Sequence, residues 1–473
     1  MSTQAPDQIG TDRQLFVDDY WLDNSTGVER VLQEPVKEDV AIASEHPWES
    51  IFSGYHVVLH TESLWRMYYL TSGQVGVQIG GWQYCAIAES EDGVEWTKPE
   101  LNHIEFEGST KNNLVYGGPL TEFAPFMDSN PDAAEDRRYK AFARTRPVEG
   151  VERGLVPLGS PDGIQWHPLS DSPVITGGPF DSHNLPFWDE LRGEYVVYAR
   201  GVGNPDNSAA AIEKERGREF KGGVRWIRRA TSKDFIRWTP FENIDCGETP
   251  FEHLYTSAIT PYDRAPGTYM MFPSRYVPHR QADNDIARTA KAGVNDIAFM
   301  SSRDGLNFDR SFMEAFIRPG QEIENWRERG IYVGSGITQT SPGTMSLYSR
   351  QHRYLPSVHI RRYSLRTDGF VSVNAGYAGG EFTTRPFVFS GSELELNYST
   401  SAVGSVQVEV QDDEGRPMPG LSLVDAPEKF GDEIDGIYNW NSDGSPGGLA
   451  GTTVRLRFVL KDADLYAFRF RDV

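Results

Sequence analysis

Carboxylates set one long repeat apart are the first feature of this sequence able to do chemistry. Asp181 lies in F-D-S-H-N-L-P-F-W-D, and Glu252 lies in F-E-H-L-Y-T-S-A-I-T-P-Y-D, 71 residues further on. Each has a histidine beside or near it: His183, followed by Asn184, and His253. The matching slot one repeat earlier holds Glu122 and Asp128 in E-F-A-P-F-M-D-S-N-P, and the one before that holds Glu49 in H-P-W-E-S-I-F-S-G-Y-H. A later slot holds Glu324 and then R-G-I-Y, Arg329 to Tyr332. Cleaving a glycosidic bond takes two carboxyls, one protonated to donate to the leaving oxygen and one ionised as base or nucleophile. The plainer reading of each acid is a cap on the turn before a strand.

The candidate catalytic set is Glu49, Asp181 and Glu252, with Glu252 or Asp181 as proton donor and Glu49 as base or nucleophile. Around it, Tyr55, His56, Asp128, His183, Asn184, His253, Tyr255, Arg275 and Tyr332 are the candidate substrate contacts. Tyr55, Tyr255 and Tyr332, with Trp48 and Trp188, either stack on sugar faces or fill the core. The histidines either orient a substrate hydroxyl or are satisfied structurally. Arg275 and Arg353 either pair with the acids or bind an anionic substrate.

The elements that must position these residues are announced by a repeated phrase. It reads S-E-D-G-V-E-W from Ser90, S-P-D-G-I-Q-W from Ser160, S-K-D-F-I-R-W from Ser232 and S-R-D-G-L-N-F from Ser302, with a fainter R-T-D-G-F-V-S from Arg366. Its aspartates stand at 92, 162, 234, 304 and 368, in steps of 70, 72, 70 and 64 residues. A D-G turn before an aromatic is a hairpin signal, and apolar or alternating runs such as Tyr84 to Ala88, Arg138 to Ala143 and Tyr195 to Ala199 read as strands. Four short strands per period make a propeller blade. The expected fold is therefore all-β: a five-bladed β-propeller over residues 1–379 whose innermost strands converge on a funnel, followed by a β-sandwich over 380–473. The sandwich is read from the alternation in E-L-E-L-N-Y, S-V-Q-V-E-V and T-V-R-L-R-F. The N-terminal run L-F-V-D-D-Y-W-L, Leu15 to Leu22, is read as the strand closing the ring. Its Asp18 and Asp19 point to opposite faces if extended, so at most one reaches a shared site.

Composition narrows the function classes. There are 46 Lys and Arg against 68 Asp and Glu, a formal charge of −22, which argues against a grip on nucleic acid or on an anionic membrane. The two cysteines, Cys85 and Cys246, make no disulfide framework, although a single bridge stays open. Neither HExxH nor CxxC occurs, so no cofactor is expected; a structural calcium ion in the channel, held by oxygen ligands, stays open. The start M-S-T-Q-A-P-D-Q-I-G has neither a basic region nor an apolar core, so a cytoplasmic location is expected. Oligomeric state is not legible.

With R-Q-L-F-V-D-D-Y-W-L, D-S-N-P-D-A-A-E-D-R-R-Y-K-A and F-D-S-H-N-L-P-F-W-D beside the blade phrase, the sequence resembles bacterial proteins related to glycoside hydrolase families 32 and 43. The resemblance runs along nearly the whole chain. It implies a five-bladed propeller with a C-terminal β-sandwich and hydrolysis or transfer of glycosidic bonds, often of fructo- or arabinofuranosides. It also implies a three-carboxyl site, with Glu49 near the N-terminal nucleophile or base and Asp181 near the blade-three acid. The chain departs from those families in lacking W-M-N-D-P-N-G, R-D-P and E-C motifs, so substrate and stereochemistry do not carry over. The expected partner is an oligosaccharide or glycoside. A non-catalytic carbohydrate-binding propeller and a polysaccharide lyase acting through His, Tyr and Arg are the alternatives.

Overall fold

The computed structural model describes residues 6–49, 54–72, 83–146, 149–203, 224–441 and 444–472. The first five residues of the M-S-T-Q-A-P start, and Ser50 to Ser53 of the H-P-W-E-S-I-F-S-G-Y-H run, lie outside them. Among the described residues strands dominate, the one α-helix is a single turn, Asp285–Arg288, and no helix is long and apolar enough to cross a membrane.

Small antiparallel sheets follow one another along the chain. The first sheet is Gly54–His60, Trp65–Ser72, Gln83–Ser90 and Leu114–Gly117. The second is built on Leu120–Met127, Tyr139–Thr145 and Gly154–Ser160, and the third on Leu185–Asp189, Glu194–Gly203, Val224–Ser232 and Glu242–Asn243. Next come two three-stranded sheets sharing the same three passes of chain: His253–Leu254, Ser274–Val277 and Val294–Ile297, then Thr260–Pro261, Tyr269–Met271 and Met300–Ser302. The break falls at Phe272 and Pro273, where proline has no N–H to give the ladder; Ala298 N–H still donates to the Pro273 carbonyl. This pair is called the divided sheet below. The last sheet is Tyr332–Val333, Thr344–Gln351, His359–Arg366 and, from far upstream, Val36–Ala43.

The repeated phrase is a built turn. In each of its first four copies one Asp Oδ1 accepts two backbone N–H groups, as Asp162 does from Ile164 and Gln165 at 2.8 Å each. Those donors hold the Asp162 carboxyl below its usual range, against an opposing push from burial. The serine Oγ accepts from Gly163 N–H at 2.8 Å, and Trp166 Nε1 donates back to the Gly163 carbonyl at 3.0 Å. That carbonyl is also the docking point for the neighbouring sheet: Tyr68 Oη donates to it at 3.0 Å. The same contact joins Tyr198 to Gly305 and Tyr348 to Gly93, while Phe142 stacks on Phe235 at 4.7 Å where the second and third sheets meet. Gly163 has φ +73°, and a Cβ there would run into the Tyr68 hydroxyl. Gly163→Ala is thus expected to cost about 2 kcal/mol, the left-handed backbone penalty plus a lost hydrogen bond, seen as a lower chemical-denaturation midpoint.

The fifth copy does something else. Asp368 is fully buried at φ +62° and takes Arg264 at 2.9 Å, Arg13 at 3.3 Å and the Tyr262 hydroxyl at 2.6 Å.

Two expectations change. The distant strand that joins the last sheet is Val36–Ala43, paired with His359–Arg366, and L-F-V-D-D-Y-W-L does not pair there. Gln14–Leu15 pairs with Thr453–Arg471, and Phe16 and Trp21 pack edge-on against Phe382, Phe387, Phe458 and Phe468. Large apolar rings go to the larger core, whereas V-K-E-D-V-A-I-A is an exposed edge whose charges hide it from a hydropathy search. Asp18 is a turn acid held by Arg303 at 2.7 and 2.8 Å. The C-terminal sheet also begins before Gly380: its ten strands include Val371–Ala375 and the N-terminal strands between Asp7 and Leu32. Its frame is the pair Glu393–Gln411 and Thr453–Arg471, each 19 residues long. Cys85 and Cys246 are buried and unbridged.

Candidate active site

The opening strand of each sheet, or the loop leading into it, sends a residue to one place. Tyr55 comes from the first sheet, Glu122 from the second, Asp181 and His183 from the lead into the third, Tyr255 from the divided sheet and Tyr332 from the last. Four of these rings form a continuous offset stack: His183 on Tyr55 at 5.5 Å and 20°, Tyr55 on Tyr332 at 5.8 Å and 15°, Tyr332 on Tyr255 at 5.7 Å and 6°. All four are buried, so the stack is a floor rather than a sugar platform. Tyr55, Glu122 and Arg329 carry φ of 46°, 49° and 54°. Left-handed backbone at non-glycine residues is costly and gathers where function over-determines it.

A second repeat supplies the walls. The second strands end in F-A-R at Arg144, Y-A-R at Arg200, P-S-R at Arg275 and Y-S-R at Arg350. Three of these guanidiniums reach an acid of their own sheet: Arg144 reaches Glu122 at 3.3 Å, Arg200 reaches Asp181 at 2.6 Å and Arg275 reaches Glu252 at 3.9 Å. Arg350 lies over the Tyr332 ring, 4.4 Å from its centroid, and donates to the Arg329 carbonyl.

Two of these acids are electrostatically paired. The Glu122 carboxyl is raised above its ordinary value, first by burial and further by the Asp181 charge, against the pull of Arg144. Asp181 is different in kind: its side chain is 46% exposed and its Oδ1 is held by Arg200. One buried carboxyl with a raised hold on its proton thus feels the charge of an accessible one paired to a cation.

Tyr255 is the other unusual group. Burial pushes its phenol up, but Arg329, Arg200 and Arg353 together outweigh burial and Asp181 and hold it below the ordinary value. Arg329 Nη1 donates to its hydroxyl at 3.2 Å. Tyr55 moves the opposite way, raised by burial and by its two tyrosine neighbours.

The remaining predicted residues sort by their contacts. Glu49 is a brace: Oε2 accepts from Glu45 N–H, His46 N–H and Lys98 at 3.0, 3.1 and 2.8 Å, and Oε1 from Tyr69 at 2.6 Å, with the side chain 1% exposed. It is not among the converging groups, and nothing about its apolar surroundings in H-P-W-E signals that it turns away. Trp48 beside it stacks on His46 and donates to Asn113, and Trp188 packs on Tyr195. Asp128 is likewise enclosed, by Lys140, Tyr195 and Asn130. Asn184 caps its own turn on the Phe180 and Ser182 carbonyls. His56 bonds the Tyr348 carbonyl at 2.8 Å, and Arg275 is clamped on both oxygens of Asp296. Glu252 is partly exposed and is held by Arg310. His253 accepts from Arg225 N–H at 3.0 Å. Glu324 lies on the short turn Ile323–Asn325, not in the stack. Arg200, Arg225 and Arg350 were missed in the sequence, although the aromatic-small-Arg phrase at second-strand ends would have found two of them.

A cavity of about 350 Å³ lies beside this centre, lined in part by Gly178, Gly201 and Arg228; it holds none of the stacked rings. Among the described residues the acidic trio Asp412, Asp413 and Glu414 is the group close enough for a cation, but it is in the C-terminal sheet and Arg416 already pairs with it.

Burial depresses His56 to about 4 and His183 to about 3. Both are neutral when folded and near 6.5 when unfolded. The unfolded chain therefore binds more protons between pH 6.5 and about 4, and stability falls as pH drops through that window, by about 1.4 kcal/mol per histidine per unit. Differential scanning calorimetry from pH 7 to 4.5 is expected to show this slope, and His183→Gln to reduce it by about 1.4 kcal/mol per unit.

No protein-family model and no curated protein matches the chain. Among solved structures it is similar to a glycoside hydrolase, with a TM-score of 0.46 and 15% identity over 70% of this chain and 92% of that one. It is similar also to BT0996 in its RGII complex, with a TM-score of 0.46 and 14% identity over 70% and 92%. A third is an N-acetylgalactosamine deacetylase from F. plautii in complex with blood group B trisaccharide, with a TM-score of 0.43 and 14% identity over 73% and 97%. At these TM-scores none of their activities is carried over to this chain.

Proposed function

We propose that this protein is a glycosidase whose site lies where the opening strands converge, with Glu122 as proton donor and Asp181 as the ionised partner. The observation that carries the reading is the pairing of a buried Glu122, raised above its ordinary value, with an accessible, Arg200-held Asp181. Glu122 protonates the leaving oxygen, and Asp181 acts as base on water or as nucleophile at the anomeric carbon. Glu252, partly exposed, contacts the sugar rather than the reacting bond.

The same reading takes the successive sheets as five blades of a closed propeller, the divided sheet being one blade. It is supported by the contacts that pass from the last sheet back to the first: Tyr348 on Gly93, Ser335 N–H on the His56 carbonyl at 3.1 Å, and Val58 N–H on Ser335 at 2.8 Å. The ten-stranded C-terminal sheet braces the ring as a sandwich-like domain. A fructo- or arabinofuranoside is the neutral substrate that the family resemblance offers.

The test is a panel of aryl glycosides and plant and algal oligosaccharides, followed by reducing-end release. Turnover by the wild type that is lost in Asp181→Asn supports the site. Full turnover by both Asp181→Asn and Glu122→Gln overturns it.

A further inference from the structure

Gly201 follows Arg200 in Glu194–Gly203, at the position where the other second strands carry Thr145, Tyr276 and Gln351. Glycine inside a strand weakens it, and it marks a bulge or a close approach by a ligand or another backbone. Neither a bulge nor the backbone conformation explains Gly201. Its register against Trp226 is unbroken, and its φ lies outside the left-handed region that favours glycine. Nor does a neighbouring backbone crowd it: the three atoms nearest to a Cβ placed there, from 3.0 Å outward, all belong to the flexible Arg228 side chain. What the missing side chain leaves open is the cavity of about 350 Å³.

That cavity lies at the seam which also holds the candidate pair. Arg153 and Thr176 reach it from the second sheet, which carries Glu122. Gly178 and Pro179 belong to the lead that continues to Asp181, and Gly201 and Arg228 to the third sheet. Arg228 is a fixed wall: its Nε donates to the Arg200 carbonyl at 3.2 Å, and its guanidinium carbon stands 4.0 Å from the Phe241 centroid and 5.3 Å from that of Phe180. A Cβ on Gly178 would fall on that guanidinium, so space sets this glycine too. Arg153 and Thr176 are exposed, so the cavity is reached from solvent. Its lining joins the C–H surface of Pro179 and the glycines to the polar groups of Thr176 and Arg153. A sugar ring divides in the same way, into C–H faces and a rim of hydroxyls, and the volume is at the low end of the roughly 300–1,000 Å³ range of small-ligand sites.

We infer that this cavity seats the sugar unit adjoining the one held at Glu122 and Asp181, so that the substrate is an oligosaccharide whose chain leaves the centre along the seam of the second and third sheets. This rests on the centre being a sugar-processing site, and it adds the path and the least length of the chain.

Isothermal titration calorimetry of the full chain tests it with arabino- and fructo-oligosaccharides of increasing length, from the disaccharide upward, with reducing ends measured in the same samples. The added unit that enters the cavity is expected to raise affinity about tenfold, and Gly201→Val, whose side chain grows into the cavity, to remove most of that step. Equal affinity at every length in the wild type, or no binding by any member, overturns the inference without need of a variant. A loss in Gly201→Val that is the same at every length overturns it as well. A length step without new reducing ends leaves the inference standing and removes the glycosidase reading. Cleavage with no length step does the reverse.

Discussion

Glu122→Gln is expected to lower kcat on a glycoside with a poor leaving group by about 10²- to 10⁴-fold, the span that general acid catalysis supplies. The size follows from what Glu122 provides. Burial, and further the Asp181 charge, raise its hold on the proton against the pull of Arg144, the direction a proton donor needs. Glutamine keeps the shape and the contacts to Arg144 but has no acidic proton. The loss should therefore shrink as the leaving group improves, because a dinitrophenolate departs without protonation. Asp181→Asn, by contrast, is expected to slow all leaving groups alike, since its ionised oxygen acts at the anomeric carbon or on the attacking water. Steady-state kinetics across an aryl glycoside series separates the two roles. Equal losses in Glu122→Gln for every leaving group would remove it as donor.

The largest expected effect on stability belongs to Arg13→Met. Arg13 is almost wholly buried and joins the turn after the last sheet to the C-terminal sheet, meeting Asp368 at 3.3 Å, Glu395 at 2.7 Å and Asp435 at 2.9 Å. Asp368 and Glu395 are fully buried. Arg264 and Arg469 remain on them after the substitution, so the carboxylates are short of one cation and not stripped of all. Breaking a buried ionic network by removing one partner costs about 3–5 kcal/mol, and the remaining arginines place this change near the lower end, about 3 kcal/mol. Calorimetric unfolding checks it; a variant within about 0.5 kcal/mol of wild type would show that this network does not hold the two parts together.

Much of this architecture is legible in the sequence, because the repeated turn is self-contained. Asp92, Asp162, Asp234 and Asp304 each bond backbone groups two and three residues on, so their spacing survives any rearrangement elsewhere. The same ruler points to the opening strands, where Asp181, Tyr255, His183 and Tyr332 come together. What it cannot read is side-chain direction. Glu49 occupies the expected slot yet turns toward Lys98 and Tyr69, and Asp128 turns toward Lys140, because each finds a buried partner on a neighbouring strand. Glu122 reads as a turn acid since nothing local shows that its backbone is left-handed. The edge strand Val36–Ala43 is invisible for a related reason: its pairing lies more than three hundred residues away, and its exposed face carries charge where a strand search looks for apolar residues.

The central claim, cleavage of a glycosidic bond by the Glu122 and Asp181 pair, is tested most directly by proton NMR of the wild type incubated with the oligosaccharides of the panel. New hemiacetal anomeric signals that grow with time, and that are absent with Asp181→Asn, are the predicted result. Vinylic proton signals would instead report elimination, and an unchanged spectrum would report no cleavage; either would contradict the account.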